Sequence, residues 1–436
     1  MRQLFGTDGI RARAHAYPLD PATMFALGVA LAHRFPGKIL LGRDTRESGP
    51  MIAGALAAGI KQGGGEAVSV GVIPTPGIAY LCRTTDAVAA ISISASHNPW
   101  EDNGVKIFGH DGMKLPDSVE AEIEKDLSRV VITGPAMMWE VDSETPELIE
   151  SYERFLISGV PPAALKGKKV VLDTGHGAAY RIAPEVFRRA GAEVIVIHDA
   201  PNGRNINENA GALHPERLAQ IVVEQQADYG VAFDLDWDRA IFSDDAGKVR
   251  DGDEIIYLWA KHLRVPLVVT TVMSNFGFER QLKEDGIELL RANVGDKYVL
   301  EMMLQRDAIL GGEQSGHIID RTVHTTGDGI HTALVFGYVL GEMGKPFSQL
   351  HTFDPMPQLL LNERVGAKPP LDSLPKYQAA HAQAMQDLNG RGRILVRYSG
   401  TENLVRVMVE GEDEAQIRRI AEDLRGVLKS EIANLS

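Results

Sequence analysis

Short apolar runs recur along the chain at 38–41, 86–93, 169–172, 229–233, 267–271 and 308–310, and each reads as a buried strand. Longer amphipathic or alanine-rich stretches at 51–61, 178–190, 215–225, 278–284, 296–305 and 328–341 separate them and read as helices. This alternation predicts α/β units with largely parallel sheets. Polar motifs tend to follow the strands, at 42–44, 94–99, 173–177, 234–239 and 311–317. Open α/β sheets bind ligands beyond the carboxyl ends of their strands, so a composite site needs this placement.

The pattern changes after residue 344. The stretch 344–370 carries Pro346, Pro355, Pro357, Pro369 and Pro370 and reads as a linker. Beyond it, helices at 378–388 and 414–428 flank strands at 393–398 and 404–410, which predicts a small α+β domain. The stretch 131–145 lacks periodicity and is expected to join a first unit to a second near residue 150. The expected division is 1–150, 151–248 and 249–356 as three similar α/β domains, then 357–436 as a smaller one. A chain of 436 residues exceeds a single hydrophobic core, in keeping with three or four domains. The three strand–turn–helix units hint at a divergent repeat without a strict period.

Composition narrows the class. With 44% apolar and 24% charged residues the chain reads as an ordinary soluble protein. Cys82 is the only cysteine, so no intrachain disulfide can form and a cytoplasmic location is expected. The first residues lack an apolar signal core, and no apolar run approaches the roughly 18 residues needed to span a bilayer. A net charge of −14 argues against a nucleic-acid surface. An anionic substrate would then need local cations, for which Arg11, Lys106, Arg239 and Arg397 are candidates.

Two motifs carry most of the chemistry. Ser94-Ala95-Ser96-His97-Asn98-Pro99 sets hydroxyls beside an imidazole after a predicted strand, and Lys106 follows closely. It is also a good surface turn. Serine is a poor nucleophile unless a base or metal activates it, and no strained nucleophile elbow is present. Asp234-Leu235-Asp236-Trp237-Asp238-Arg239 puts carboxylates on alternate residues, able to converge on one hard cation such as Mg²⁺. A solvated acidic turn or structural calcium loop would share that spacing, but the glycine and twelfth-position glutamate of an EF-hand are absent. Gly311-Gly312-Glu313-Gln314-Ser315-Gly316-His317 offers groups suited to sugar hydroxyls. Arg397-Tyr398-Ser399-Gly400-Thr401-Glu402 suits a phosphate and also reads as a hairpin turn.

In this order, together with Phe5-Gly6-Thr7-Asp8-Gly9-Ile10-Arg11, Gly42-Arg43-Asp44-Thr45-Arg46 and Thr325-Thr326-Gly327-Asp328-Gly329, the motifs resemble the α-D-phosphohexomutase superfamily nearly end to end. The likeness is greatest to its bacterial branch acting on glucosamine phosphates. It implies three α/β mixed-sheet domains plus a smaller C-terminal α+β domain around a central cleft. It further implies Ser96 as the phosphoserine, with Asp234, Asp236, Asp238 and Ser96 as the Mg²⁺ site. Arg11, His97, Lys106 and His317 would line the reaction centre. Glu313, Ser315 and Arg239 would bind the sugar phosphate, and Arg397, Ser399, Gly400 and Thr401 its distal phosphate.

The implied reaction moves phosphate between the 6- and 1-positions of a hexosamine through a bound 1,6-bisphosphate, for amino-sugar and cell-wall precursors. The implied partner is a small sugar phosphate, and the chain would be a monomer or homodimer. Alternatives are a glucose or mannose substrate, a metal-dependent phosphatase, or a non-catalytic sugar-phosphate binder. The chain departs from the family at three places. Leu235 and Trp237 stand where small residues are usual between the aspartates, Ala12 where glycine is common, and Asn403 where proline is.

Overall fold

The structure, a computed structural model, describes residues 4–6, 8–130, 145–399 and 403–434. Residues 131–144, most of the expected first junction, lie outside the described residues. The chain divides into two compact units, residues 1–271 with 290–351 and residues 272–289 with 352–436.

The first unit repeats one plan. β1 (Ile10–Arg13), β2 (Lys38–Arg43), β3 (Glu66–Val72), β4 (Ala87–Ile93) and β5 (Asp102–Gly109) form a sheet of order β1-β5-β4-β2-β3. Its β2, β3 and β4 run parallel, while β5 is antiparallel to both β4 and β1. β6 (Lys169–Asp173), β7 (Glu193–Ile197), β8 (Tyr229–Phe233), β9 (Ala240–Asp244) and β10 (Val249–Arg250) form a second sheet of order β10-β9-β8-β6-β7. Here too the centre is parallel and β9 turns back antiparallel to β8. β11 (Leu267–Thr271), β12 (Glu288–Ala292), β13 (Leu310–Gly312) and β14 (Ile318–Asp320) make the third, with β13 parallel to β11 and antiparallel to β14. Antiparallel β5, β9 and β14 therefore join the parallel centres, giving the mixed sheets the resemblance implies rather than the largely parallel ones expected from alternation. Of the returning strands β14 has three residues, while β5, eight residues long, carries Asp102, Asn103, Gly104 and Lys106 and so breaks the apolar pattern.

Central strands are buried on both faces: Val170, Val171, Leu172, Val231 and Phe233 are all fully covered. Some helices begin on side-chain caps, as at Gly329–Met343, where the Asp328 carboxylate accepts from the backbone N–H of Ile330 and His331.

In the second unit β15 (Gln358–Arg364), β16 (Gly392–Tyr398) and β17 (Leu404–Gly411) form an antiparallel sheet of order β15-β17-β16. Helices Pro375–Leu388 and Glu414–Ala433 cover it over Leu374, Val405, Val407, Val409, Ile420 and Leu424. β15 corrects the reading of 344–370 as linker. The prolines flank a strand that pairs along its whole length with β17, and proline is tolerated at the ends of such an edge strand. Among the described residues no helix is long and apolar enough to cross a membrane.

Candidate active site

Sheet order brings the first set of side chains together. Arg11 lies on β1, Lys106 on β5 opposite Ser92 of β4, and Ser96 follows β4, so three adjacent strands deliver all three. Ser96 itself adopts φ +49°, a left-handed conformation that costs on the order of 1–2 kcal/mol for a non-glycine residue. Arg46 holds it there. Its fully buried guanidinium donates to the carbonyls of Ser96 (2.7 Å), Asn98 (2.8 Å), Asp102 (3.1 Å) and Pro99, and to the Asp44 carboxylate at 2.9 Å. Ser94 Oγ donates to Asp44 at 2.6 Å and accepts from the Ser96 N–H at 3.0 Å. Asn207, from the second sheet's loops, donates to the His97 carbonyl.

The three aspartates follow β8. Each can offer a carboxylate oxygen within 4.8 Å of the other two, and all three are buried. Ser96 Oγ donates to Asp234 Oδ2 at 2.8 Å. Thr75 pins the middle of the loop, its N–H on the Asp236 carbonyl at 2.9 Å and its hydroxyl on Asp236 Oδ2 at 3.1 Å. Leu235 and Trp237 do not disturb this group. Both are buried, Trp237 at φ +65°, and its indole stacks on Phe233 with ring centroids 3.9 Å apart. Gly177 makes room, since a Cβ there would meet Leu235 O at 2.7 Å and Trp237 Nε1 at 2.8 Å.

The charges are close and unequal. Lys106 Nζ lies 2.6 Å from Asp236, 3.0 Å from Asp8 and 3.5 Å from Asp238. Burial favours its neutral form, but Asp236, Asp8 and Asp238 outweigh that and hold the ammonium protonated well above the usual lysine range. Burial likewise opposes ionisation of Asp236, yet Lys106 keeps its carboxyl below the usual range. Asp234 goes the other way: burial, then repulsion from Asp238 and Asp236, pushes it well above. Burial and then the cations Arg239 and Arg11 depress His97, whose Nδ1 is 3.4 Å from Ser96 Oγ. Arg239 stands 3.6 Å from Asp238 and 4.0 Å from Asp234.

A hard cation fits this group. Asp236 Oδ1 and Asp238 Oδ1 are buried without a hydrogen-bond partner, and every donor is a carboxylate oxygen. An unsatisfied buried carboxylate oxygen is costly, and a cation would satisfy both.

His317 closes the site from between β13 and β14. Both its ring nitrogens are buried without hydrogen bonds, and Nε2 is 3.9 Å from Asp238 and 3.5 Å from Asp296. Gly327 lies against it, a Cβ there meeting the imidazole at 2.6 Å. In the same loop Glu313 accepts from the Gly295 N–H at 3.1 Å, with Ser315 Oγ 3.4 Å from its carboxylate. Ala240 N–H donates to the Gly316 carbonyl at 3.1 Å, tying this loop to the start of β9.

Arg11, Ser96, His97, Lys106, Asp234, Asp236, Asp238, Arg239 and His317 thus gather, with Glu313 and Ser315 on an adjoining loop. Arg397 and Ser399 belong to the second unit. There Arg397 faces Arg406 across β16 and β17, and Lys368 donates to the Ser399 carbonyl at 2.7 Å. Gly400 and Thr401 lie outside the described residues. Three site residues escaped sequence reasoning: Asp8, Lys114 and Asp296. Lys114 Nζ binds Asp8 at 2.6 Å and Asp296 at 2.7 Å, and Arg11 pairs with Asp8.

Models of the phosphoglucomutase/phosphomannomutase domains match in succession: α/β/α domain I at residues 2–130, domain II at 150–247, domain III at 251–355 and the C-terminal domain at 360–427. The chain belongs to the phosphoglucomutase/phosphomannomutase family. Within it, a relative from Symbiobacterium thermophilum named phosphoglucosamine mutase is 46% identical over 99% of this chain and 100% of its own. One of the same name from Koribacter versatilis is 47% identical, covering 97% and 95%. Among solved structures, a phosphoglucomutase/phosphomannomutase family protein from Burkholderia thailandensis superposes with a TM-score of 0.81 at 22% identity, covering 99% and 98%. The Aspergillus fumigatus N-acetylphosphoglucosamine mutase, in complex with GlcNAc-6P and magnesium, shares the fold at TM-score 0.68 and 16% identity, over 98% and 95%.

Proposed function

We propose that the chain is an isomerase interconverting glucosamine 6-phosphate and glucosamine 1-phosphate, a step toward amino-sugar and cell-wall precursors. The observation that carries this is the Ser96 hydroxyl at 2.8 Å from Asp234, beside three clustered aspartates and Lys106. The full-length relatives named phosphoglucosamine mutase support the substrate.

Asp234, Asp236, Asp238 and an oxygen on Ser96 would hold Mg²⁺, which when bound offsets charge on the transferring phosphoryl group. In the resting enzyme Ser96 carries the phosphate. The bond from Ser96 Oγ to phosphorus breaks as one forms to the free sugar hydroxyl, giving a hexosamine 1,6-bisphosphate. After this intermediate turns, its other phosphate returns to Ser96. Lys106, kept protonated by Asp236 and Asp8, is suited to neutralising phosphate charge rather than accepting a proton. His317, whose ring nitrogens have no hydrogen-bond partner, is the better acceptor of the hydroxyl proton. Arg11 and Arg239 add cationic charge, and His97 is kept toward its neutral form beside Ser96. Glu313 and Ser315 would hold sugar hydroxyls, and the segment from Arg397 through Ser399, Gly400 and Thr401 the distal phosphate. The single cysteine and the water-soluble sugar-phosphate substrate support a cytoplasmic location.

The test is turnover of glucosamine 6-phosphate beside glucose and mannose 1-phosphates, with Mg²⁺ and a sugar bisphosphate, while free phosphate is followed. A glucosamine preference without phosphate release is expected. Preference for glucose or mannose would move the specificity, and phosphate release without isomerisation would make the chain a phosphatase.

A further inference from the structure

Resting on that reading, we propose that Lys114 and Asp296 are a positioning pair that aims His317 and, through Asp8, Lys106. Neither touches the serine or the aspartate cluster. Lys114 stands on the turn after β5, paired back to Phe108 by an isolated bridge. Asp296 is the first residue of helix Asp296–Arg306, after the third sheet's β12. Their ion pair therefore joins the turn after β5 of the first sheet to the helix after β12 of the third, inside the first unit.

The connections run both ways from the pair. Lys114 Nζ is 2.6 Å from Asp8 Oδ1, and the other oxygen of Asp8 is 3.0 Å from Lys106 Nζ and also pairs with Arg11. On the far side Lys114 Nζ is 2.7 Å from Asp296 Oδ2, and that same oxygen is 3.5 Å from His317 Nε2. The result is one chain of alternating charge, Lys106–Asp8–Lys114–Asp296–His317. It spans from the cation of one sheet to the imidazole of another.

The imidazole needs such a partner. His317 is almost wholly buried, and neither nitrogen makes a hydrogen bond. A proton acceptor works best when a third group fixes its ring in one orientation, the logic of an oriented base. Asp296 and Asp238 are the carboxylates within 4 Å of it among the described residues, and Asp238 belongs to the cation site. Asp296 is thus the group free to orient the ring. Burial opposes its ionisation, but Lys114 and then His317 hold it as carboxylate, at about 2. Lys114 supplies the counter-charge that lets a carboxylate persist there.

Two readouts separate aiming from mere stability. Removing one member of a buried ion pair destabilises, because the other charge is left uncompensated, whereas removing both often does not. Asp296→Asn should lower kcat about 30-fold or more with KM changed by less than about threefold, and should lower Tm. In the double variant Asp296→Asn with Lys114→Gln, Tm should recover while kcat stays low. If kcat recovers together with Tm, or if Asp296→Asn keeps kcat within threefold of wild type, the pair only stabilises and the proposal is overturned. Lys297→Ala is the control. Its ammonium pairs with Asp117 across the same junction without reaching His317, and turnover should be unchanged.

An activity-independent measurement keeps this apart from the assigned reaction. In the full chain with ¹⁵N-labelled histidine, the His317 ring signal, identified by its loss in His317→Gln, should shift in Asp296→Asn and not in Lys297→Ala. An unmoved signal overturns the pairing even in an active enzyme. A moved signal supports it even where wild type fails to isomerise glucosamine 6-phosphate, a result that would overturn only the function.

Discussion

The serine loop and the aspartate loop meet at one hydrogen bond, yet they are built by different means. The serine loop is held from outside by polar contacts: one buried guanidinium gathers three of its carbonyls and that of Asp102 at the start of β5, and Asp44 steadies Ser94. The aspartate loop adds apolar packing to the hydrogen bonds from Thr75, with Trp237 stacked on Phe233 and Leu235 buried beside Gly175 and Gly177. A loop that presents a hydroxyl can spend its backbone carbonyls on a cation. A loop that presents three carboxylates must leave most of those oxygens to the ligand, so its fastening falls to its backbone carbonyls, which accept from the N–H of Ala178, Thr75 and Gly329, and to its alternate side chains. Leu235 and Trp237, the two departures from the family pattern that fall between the aspartates, are its apolar anchors.

The comparison breaks first at the chemistry. Ser96→Ala should abolish turnover, by about 10⁴-fold or more, while Tm moves by no more than a few degrees, because the loop's fastening lies in Arg46. Retained activity in that variant would remove Ser96 from its role. Stripping divalent ions with EDTA should also silence the enzyme and lower Tm, with Mg²⁺ restoring both; Tm indifferent to Mg²⁺ would count against a cation between the aspartates.

Smaller effects separate the two kinds of support. Arg46→Ala leaves Asp44 buried without its counter-charge and several carbonyls without their donor, and should cost about 3–5 kcal/mol in chemical denaturation. Arg46→Lys should rescue little, since one ammonium cannot copy the fork. Trp237→Ala should cost a similar ~3–5 kcal/mol by cavity formation and weaken Mg²⁺ binding, whereas Trp237→Phe, which keeps a ring on Phe233, should retain most of both. Equal losses for Phe and Ala would mean the stack is not the anchor.

The least effect is on acid stability. Asp296 is held at about 2, below an unfolded value near 4, so the stability it contributes is complete above pH ~4 and lost as pH falls toward 2. It amounts to about 2 kcal/mol. Comparing unfolding of wild type with Asp296→Asn between pH 5 and 3 should show the gap closing as pH falls; a constant gap would contradict the assignment.

Sequence pattern alone located most central strands, and β8 and β11 appear with the bounds expected, because continuous apolar runs leave no other way to be buried. β15 was hidden by the prolines around it and by an exposed edge. The serine and aspartate loops were legible because each concentrates its chemistry in six adjacent residues. Asp8, Lys114 and Asp296 were not, since they are far apart in sequence and meet only through sheet order. Asp296 at a helix start looks like any first-turn acid. One signal was present for Asp8, which lies three residues before Arg11 in a motif already singled out.

Cys82 is the chain's single thiol, buried on helix Thr75–Thr84 with its Sγ donating to the Gly109 carbonyl at 3.1 Å. Burial, and then Asp111, push it up to about 12, so almost none is thiolate at neutral pH. The native chain is therefore silent toward maleimides and iodoacetamides. One cysteine added at an exposed position of either unit would take a fluorophore or spin label alone, with no background residue to remove.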